Sequence, residues 1–485
     1  MNHLNPASTG VFAFKRKRLF QYPPLFNCNS CFPFRHDFSA FPFDTERLTS
    51  SFFTPLSVLE VTFSLQPIVV GVDVGSEKNY ARAFKGNGIE ITRKAFCFAN
   101  TLEGFKSFDE MVTKLTAPLA EKKIVVGMEP TGHYWFNFAD YCQGKKMTVV
   151  TVAPQHVKHS KEMDDNTQRK DDRKDPRVIA KLVIEGRYCI PYRPKGVYAE
   201  LRVAYNRRCE VVEEETRIKN RIRRWFDLYF PEYRTVYGRI VAVSGIMILK
   251  QAPLPKDIVA LGVDGIQQIW RANKMRGAGI KRAKTLYEAA QGSICPPDAG
   301  RAVRMQLWQL LEDYEKVEKQ LYDADIMIGI ISADIPEINE LMKIHGIGMI
   351  TAAGMISEIG DIRRFDDSRQ IQKLAGLAIV VNESGKQKGQ SEISRRGRKR
   401  LRRILFQAAM CLVKNNREFK QIHEYFTTRE KNPLKKMQSL MAVAAKFLRI
   451  CFGMIKNGTP YDPERVLKDI HREESKTPDP GKKAA

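Results

Sequence analysis

Long apolar runs are missing from this sequence. No stretch of about 18 or more uncharged apolar residues occurs, so nothing reads as a membrane span. No long helical pattern sets Lys and Arg against an aromatic face, so no membrane partner is expected. Cysteine is scarce and scattered, nine in 485 residues, which excludes a disulfide-stapled fold and reads as the reduced thiols of an intracellular protein. Cys28 and Cys31 form a close pair, but without a second pair they make no zinc site, even with His36 nearby. Acids are the other shortage: 55 Asp and Glu face 80 Lys and Arg, a formal net charge of +25. Such an excess attracts a polyanion and is costly to keep without one, so nucleic acid is the first partner to consider.

Residues 1–66 hold many Phe and several Pro without a helical or strand period, and Lys15-Arg16-Lys17-Arg18 lacks the apolar continuation of a signal peptide. The stretch reads as a disordered arm, or as translated sequence ahead of the functional start. From residue 68 the pattern sharpens. Residues 68–75 are a β-branched run carrying one acid, Asp73, as in a buried central strand. Residues 80–84 and 89–98 flank Lys85-Gly86-Asn87-Gly88, a hairpin signal, so the first three strands are expected adjacent and antiparallel. A helix over 102–119 follows, then a second buried strand over 123–129 ending in Glu129, a turn into another helix, and a fifth strand over 147–152.

Next come Asp171, Asp172 and Asp175, just before a helix expected over 176–186. Pro176 suits a first helical turn, and from there Asp172 and Asp175 can point to one side. Two hard oxygen donors suit Mg²⁺, although a capped, solvated helix start would look the same. The order β-β-β-α-β-α-β-α is that of an RNase H-like domain, and it brings Asp73, Glu129, Asp172 and Asp175 towards one sheet edge. Carboxylates that close repel unless divalent cations sit between them, so the set makes sense as a metal site for phosphodiester cleavage.

These residues resemble those of a known family, the DEDD-type insertion-sequence transposases, which are bridge-RNA-guided DNA recombinases. The likeness is carried by Gly71-Val72-Asp73-Val74, Gly127-Met128-Glu129-Pro130-Thr131-Gly132, Lys170-Asp171-Asp172-Arg173-Lys174-Asp175, and Ile179-Ala180 with Gly186-Arg187-Tyr188. It implies that Asp73, Glu129, Asp172 and Asp175 bind Mg²⁺ (or Mn²⁺). It also implies donor and target DNA, a guide RNA, a homo-oligomer (dimer or tetramer), and a cytoplasmic, nucleoid-associated location. The pattern departs at Asp171, where a neutral residue is usual and which stays open as the third acid, and at Pro176, where Ala is usual.

Four further divisions are expected: an α/β domain over 67–190, a helical coiled-coil region over 195–340, a mainly α C-terminal domain over 341–460, and a flexible tail over 461–485. In the helical region Val303, Leu307, Leu310, Tyr314, Val317, Leu321, Ala324 and Ile328 keep coiled-coil spacing. Their partner is either the stripe Ile218, Ile222, Trp225 and Tyr229 of the same chain or another protomer. The third region opens on residues 341–350, an apolar turn resembling helix-hairpin-helix modules. Gly346 and Gly348 there would let phosphate approach backbone N–H groups, and a plain αα-hairpin fits equally.

Asn382-Glu383-Ser384-Gly385-Lys386 then leads through a Gly, Gln and Ser loop to Arg395, Arg396, Arg398, Lys399, Arg400, Arg402 and Arg403, seven cations in nine residues. These are expected to contact phosphates of more than one strand. The resemblance makes Ser384 the nucleophile. Chemistry alone does not choose it over Ser391 or Ser394, since spacing does not reveal which serine has an activating base or metal. Two reactions fit: recombination through a serine–DNA link, or metal-dependent hydrolysis of a DNA junction by water with the third region only binding. The acid set argues against a purely binding protein, and the Ser-Gly core with its basic run favours recombination.

Overall fold

The computed structural model describes residues 67–117, 123–164, 174–276, 278–296, 299–384 and 387–474. The arm 1–66, Asp171 and Asp172, and residues 475–485 lie outside them. The first part runs β1 (Ile68–Val74), β2 (Lys78–Lys85), β3 (Phe96–Ala99), α1 (Leu102–Thr116), β4 (Ile124–Met128), α2 (Trp135–Gly144), β5 (Thr148–Thr151), α3 (Pro154–Asp164) and α4 (Asp175–Ile184). Its sheet has the order β3-β2-β1-β4-β5, with β1 antiparallel to β2 and parallel to β4. The third strand starts at Phe96 rather than Ile89. Thr92 explains the delay: its hydroxyl accepts the Ala83 N–H at 3.0 Å, taking the place of a ladder carbonyl.

Strand alternation sorts the two faces of the sheet. Val70, Val72, Val126 and Met128 pack with Phe108 and Phe138 of α1 and α2, whereas Val69 and Val125 pack with Val178, Ile179 and Val183 of α4. Asp73 shares the parity of Val69, so it belongs to the α4 face.

Helices α5 (Val197–Tyr229), α6 (Tyr233–Val236), α7 (Val243–Gln251), α8 (Pro255–Ala272), α9 (Ile280–Gln291) and α10 (Arg301–Ala333) follow. The α10 seam finds its partner inside the chain, because α5 runs antiparallel beside it: Trp225 donates to the Val303 carbonyl at 3.1 Å and Arg208 pairs with Asp325 at 2.6 Å. Ile218, Ile222 and Trp225 are buried with Leu307, Leu310, Tyr314 and Val317, and α8 and α9 close this core. The opposite ends of the same two helices, through Leu201, Tyr205, Ile328 and Ile331, enter a second core.

That core belongs to α11 (Pro336–Met342), α12 (Met349–Ile359), a short 3-10 turn (Ile362–Arg364), α13 (Ser368–Ala375), α14 (Lys399–Asn415), α15 (Arg417–Thr428), α16 (Lys436–Asn457) and α17 (Pro463–Glu474). Helix α16 is long and apolar enough to cross a membrane by length and composition, and 56% of its apolar window is buried inside the protein. The expected loop before the basic run is instead a two-stranded hairpin, β6 (Ile379–Ser384) with β7 (Gln387–Ile393), in which Ile379, Val380 and Val381 begin the pairing. The expected flexible tail carries α17, which stays ordered to Glu474 because Val466 and Ile470 are buried in the core.

Two adjacent residues fasten the linker between α4 and α5, one to the C-terminal part and the other to α2. The Tyr192 hydroxyl accepts the Asp361 N–H at 3.2 Å, and the Arg364 guanidinium lies 3.7 Å from the Tyr192 ring. The next residue, Arg193, pairs with Asp140 of α2, donates to the Phe136 carbonyl at 3.0 Å, and sits 4.6 Å over the Phe136 ring.

Candidate active site

Two glycines set the acid site. Gly71 and Gly127 face each other in the β1–β4 register, each two residues ahead of an acid. A Cβ on Gly71 would overlap the Pro176 carbonyl oxygen and lie 2.6 Å from the Ala180 nitrogen, and one on Gly127 would lie 2.5 Å from Val183 Cγ2. Only glycine lets the helix come this near. The start of α4 therefore packs on β1 two residues before Asp73 and its last turn packs on β4 two residues before Glu129, and Asp175 is the first residue of that helix.

Asp175 is 6% exposed and its carboxylate accepts from the Lys161 ammonium of α3. Burial pushes the Glu129 carboxyl above its ordinary value; Lys161 opposes the shift and Asp175 adds to it. Glu129, Asp175 and Lys161 thus form one electrostatic group, and Asp73 stands near the end of β1, the strand beside β4. The donors are hard oxygens, as Mg²⁺ or Mn²⁺ requires. Among the described residues no group of three metal-ligating side chains stands close enough to hold an ion, and Asp175 is turned onto Lys161. Sequence reading missed Lys161, which nothing in its surroundings on α3 singles out.

In the C-terminal part Ser384 ends β6 and pairs with Gln387, Ser391 pairs with Val381 in mid-strand, and Ser394 follows β7. The strands are anchored at their base by Ser394 N–H to Ala378 O (2.7 Å), Arg395 N–H to Gly376 O (3.2 Å) and Arg398 N–H to Leu374 O (2.7 Å). Gly397, at φ 147°, fits against the Leu374 carbonyl where a side chain could not.

The basic run divides into two sets. Arg398 and Arg400 pair with Glu358 of α12 at 3.2 and 3.5 Å, and Arg402 donates to the Ala375 and Arg395 carbonyls, both at 3.1 Å. The run lacks acids in sequence, yet buried Glu358 supplies one from 40 residues away. Half-buried Arg202 of α5 donates to the Ser357 and Glu358 carbonyls, and desolvation, with Arg398 nearby, lowers its pKa to about 10. Arg395, Arg396, Lys399 and Arg403 are exposed. In the turn between α11 and α12, Gly346 adopts φ 100° and a Cβ there would lie 3.4 Å from the Cys411 carbonyl oxygen, whereas Gly348 opens onto free space at the start of α12.

A family model described as transposase, of the DEDD IS110 type, matches residues 70–231, which hold Asp73, Glu129 and Asp175. A second, described as transposase of the IS116/IS110/IS902 family, matches residues 338–424, from α11 into α15. The chain belongs to the IS110-type DEDD transposases. Relatives of this transposase include an uncharacterised 44.8 kDa protein of insertion element IS116 from Streptomyces clavuligerus, 24% identical over 61% of this chain and 73% of the relative. A 42 kDa protein of insertion element IS900 from Mycobacterium paratuberculosis is 22% identical over 82% of this chain and 98% of its own. The transposase for insertion sequence element IS1111A of Coxiella burnetii is 26% identical over 38% and 50%. The transposase is accordingly a DNA-cleaving and recombining enzyme, and DNA is its partner.

Proposed function

We propose that this transposase is an RNase H-like, metal-dependent recombinase that breaks DNA with Ser384 and is guided by an RNA. The observation that supports it best is the in-register pair Gly71 and Gly127, which seats α4 against the ends of β1 and β4 where the acids stand. Asp73, Glu129 and Asp175, with Asp172, would hold Mg²⁺ or Mn²⁺, which supplies charge neutralisation at a phosphoryl oxygen when bound. Lys161 neutralises part of the acid charge in the metal-free protein. In the cleavage step the Ser384 hydroxyl oxygen attacks a DNA phosphorus. An Oγ–P bond forms, the bond from phosphorus to a deoxyribose oxygen breaks, and the serine proton ends on the departing hydroxyl. Reversal by another DNA hydroxyl rejoins the strand without ATP. Exposed Arg395, Arg396, Lys399 and Arg403, with Gly348, would bind phosphates, while Arg398, Arg400, Arg402 and Gly346 hold the scaffold in place. Pairing with a second copy, as dimer or tetramer, is supported by Tyr322, Ile326 and Ile330, exposed at four-residue spacing on α10.

Labelled duplex DNA incubated with the protein and Mg²⁺ is expected to give a protein–DNA species that survives SDS. Ser384→Ala should lose it and still bind DNA, whereas Ser391→Ala and Ser394→Ala should keep it; nicking by Ser384→Ala would favour the water-dependent nuclease. Asp73→Asn and Glu129→Gln should each slow cleavage at least about a hundredfold, the several kcal/mol a metal site supplies, with DNA affinity nearly unchanged. Parental rates in either variant would remove the metal reading.

A further inference from the structure

Residues 232–337 fall between the two matched stretches, and the corner where α8 meets α9 stands out within them. Arg271, Lys274, Arg276, Lys281, Arg282 and Lys284 put six cations into 14 residues, where the whole chain averages 80 in 485. No acid occurs from Gly265 to Tyr287. All six are exposed, and among the described residues none pairs with a carboxylate; Arg282 lies over the Tyr237 ring at 5.9 Å and Arg271 bonds to Gln267 at 2.9 Å. Lys274 holds φ 52°, a left-handed conformation that favours glycine, so a cation is kept where the backbone asks for another residue. The apolar side of both helices, through Ile266, Ile269, Trp270, Ala283 and Leu286, is buried, so the two helices flanking the corner are anchored in the α5–α10 core.

We infer that this corner is a second contact for the backbone of duplex DNA, lying beyond the segment that is cut. Cations this dense without acids repel one another unless a polyanion lies across them. A duplex matches the corner because its charge spacing is regular and it stays straight over the distances involved. From Tyr205 in the C-terminal core to Trp225 in the core that carries the corner is roughly 30 Å along α5, about nine base-pair steps at about 3.4 Å each. Flanking DNA is therefore contacted on the α6–α9 side, apart from the C-terminal core, in a sequence-independent way. The inference rests on DNA being the substrate but not on Ser384 or the acids.

The test is equilibrium binding of the full chain to a duplex of about 8 base pairs, too short to span nine steps, and one of about 45, over a salt series. The variant carries Lys274→Gln, Arg276→Gln, Lys281→Gln and Lys284→Gln together, all exposed substitutions whose folding circular dichroism checks. The parental protein should bind the long duplex more tightly than the short one. The variant should lose at least tenfold in affinity for the long duplex, and its slope of log affinity against log salt should fall by about 3.6, near 0.9 for each of four lost phosphate contacts. Its affinity for the short duplex should stay the same. Unchanged long-duplex affinity and slope would overturn the proposal, as would equal losses on both lengths. Loss of binding to a hairpin RNA with DNA binding intact would also overturn it and give the corner to RNA. Because binding is read without cleavage, failure of the catalytic reading would appear separately, as absent nicking by a parental protein that still distinguishes the two lengths.

Discussion

At the scale of single residues, burial governs which charges this protein can use. Lys161 and Glu358 each sit among opposite charges contributed by other elements of the chain. Glu358→Gln would leave Arg398 and Arg400 without their carboxylate, and a loss of about 2 kcal/mol is expected in urea unfolding, moderated because both arginines are partly solvated. Equal stability would show that solvent already screens the pair. His423 gives a pH signature. Its Nδ1 lies 2.7 Å from the buried Ser439 hydroxyl, and burial pushes the imidazole below its ordinary value of 6.5. The charged form is disfavoured in the fold, so this group's contribution to stability is present above that ordinary value and is lost as pH falls through the depressed one. The stability gap between the parental protein and His423→Gln should narrow on acidification, measured by thermal unfolding from pH 8 to 5. A gap independent of pH would refute the assignment.

At the scale of elements, the close approach of α4 to β1 and β4 is the feature on which the acid site depends. Gly71→Ala would drive a methyl group into backbone atoms of Pro176 and Ala180, whereas Gly127→Ala meets the movable side chain of Val183. Overpacking typically costs about 1–3 kcal/mol; Gly71→Ala should fall at the top of that range and Gly127→Ala near the bottom, and the first should also lose more cleavage activity. The reverse order in urea unfolding would mean that α4 shifts as a body. The strands β1 and β4 were legible in the sequence because a lone acid in a β-branched run is conspicuous. The hairpin β6–β7 was not, since Gly, Gln and Ser reads as a loop and the pairing is revealed only when both strands are set side by side. The basic run was misjudged for a related reason: its counter-charge is near in space and far along the chain. The in-chain partner of α10, left open by the spacing, was decided by the antiparallel run of α5.

At the scale of the whole molecule, two helices thread two cores, so the C-terminal part and the α6–α9 lobe share one frame. The remaining joint is the linker, where Tyr192 is fixed to the C-terminal part and Arg193 to the sheet domain. Tyr192→Ala should raise the rate of tryptic cleavage at Lys195 about tenfold, the effect of about 1.4 kcal/mol of lost docking on local opening, and unchanged digestion would mean that Arg193 alone secures the joint. Consecutive Cα atoms are about 3.8 Å apart, which leaves no slack between those two anchor points. The joint behaves as a rivet rather than a tether: the halves cannot part by even a base-pair step without tearing one anchor out. In the proposed dimer or tetramer, exchange of DNA strands would then come from one protomer sliding or turning against another, with each chain carried along whole.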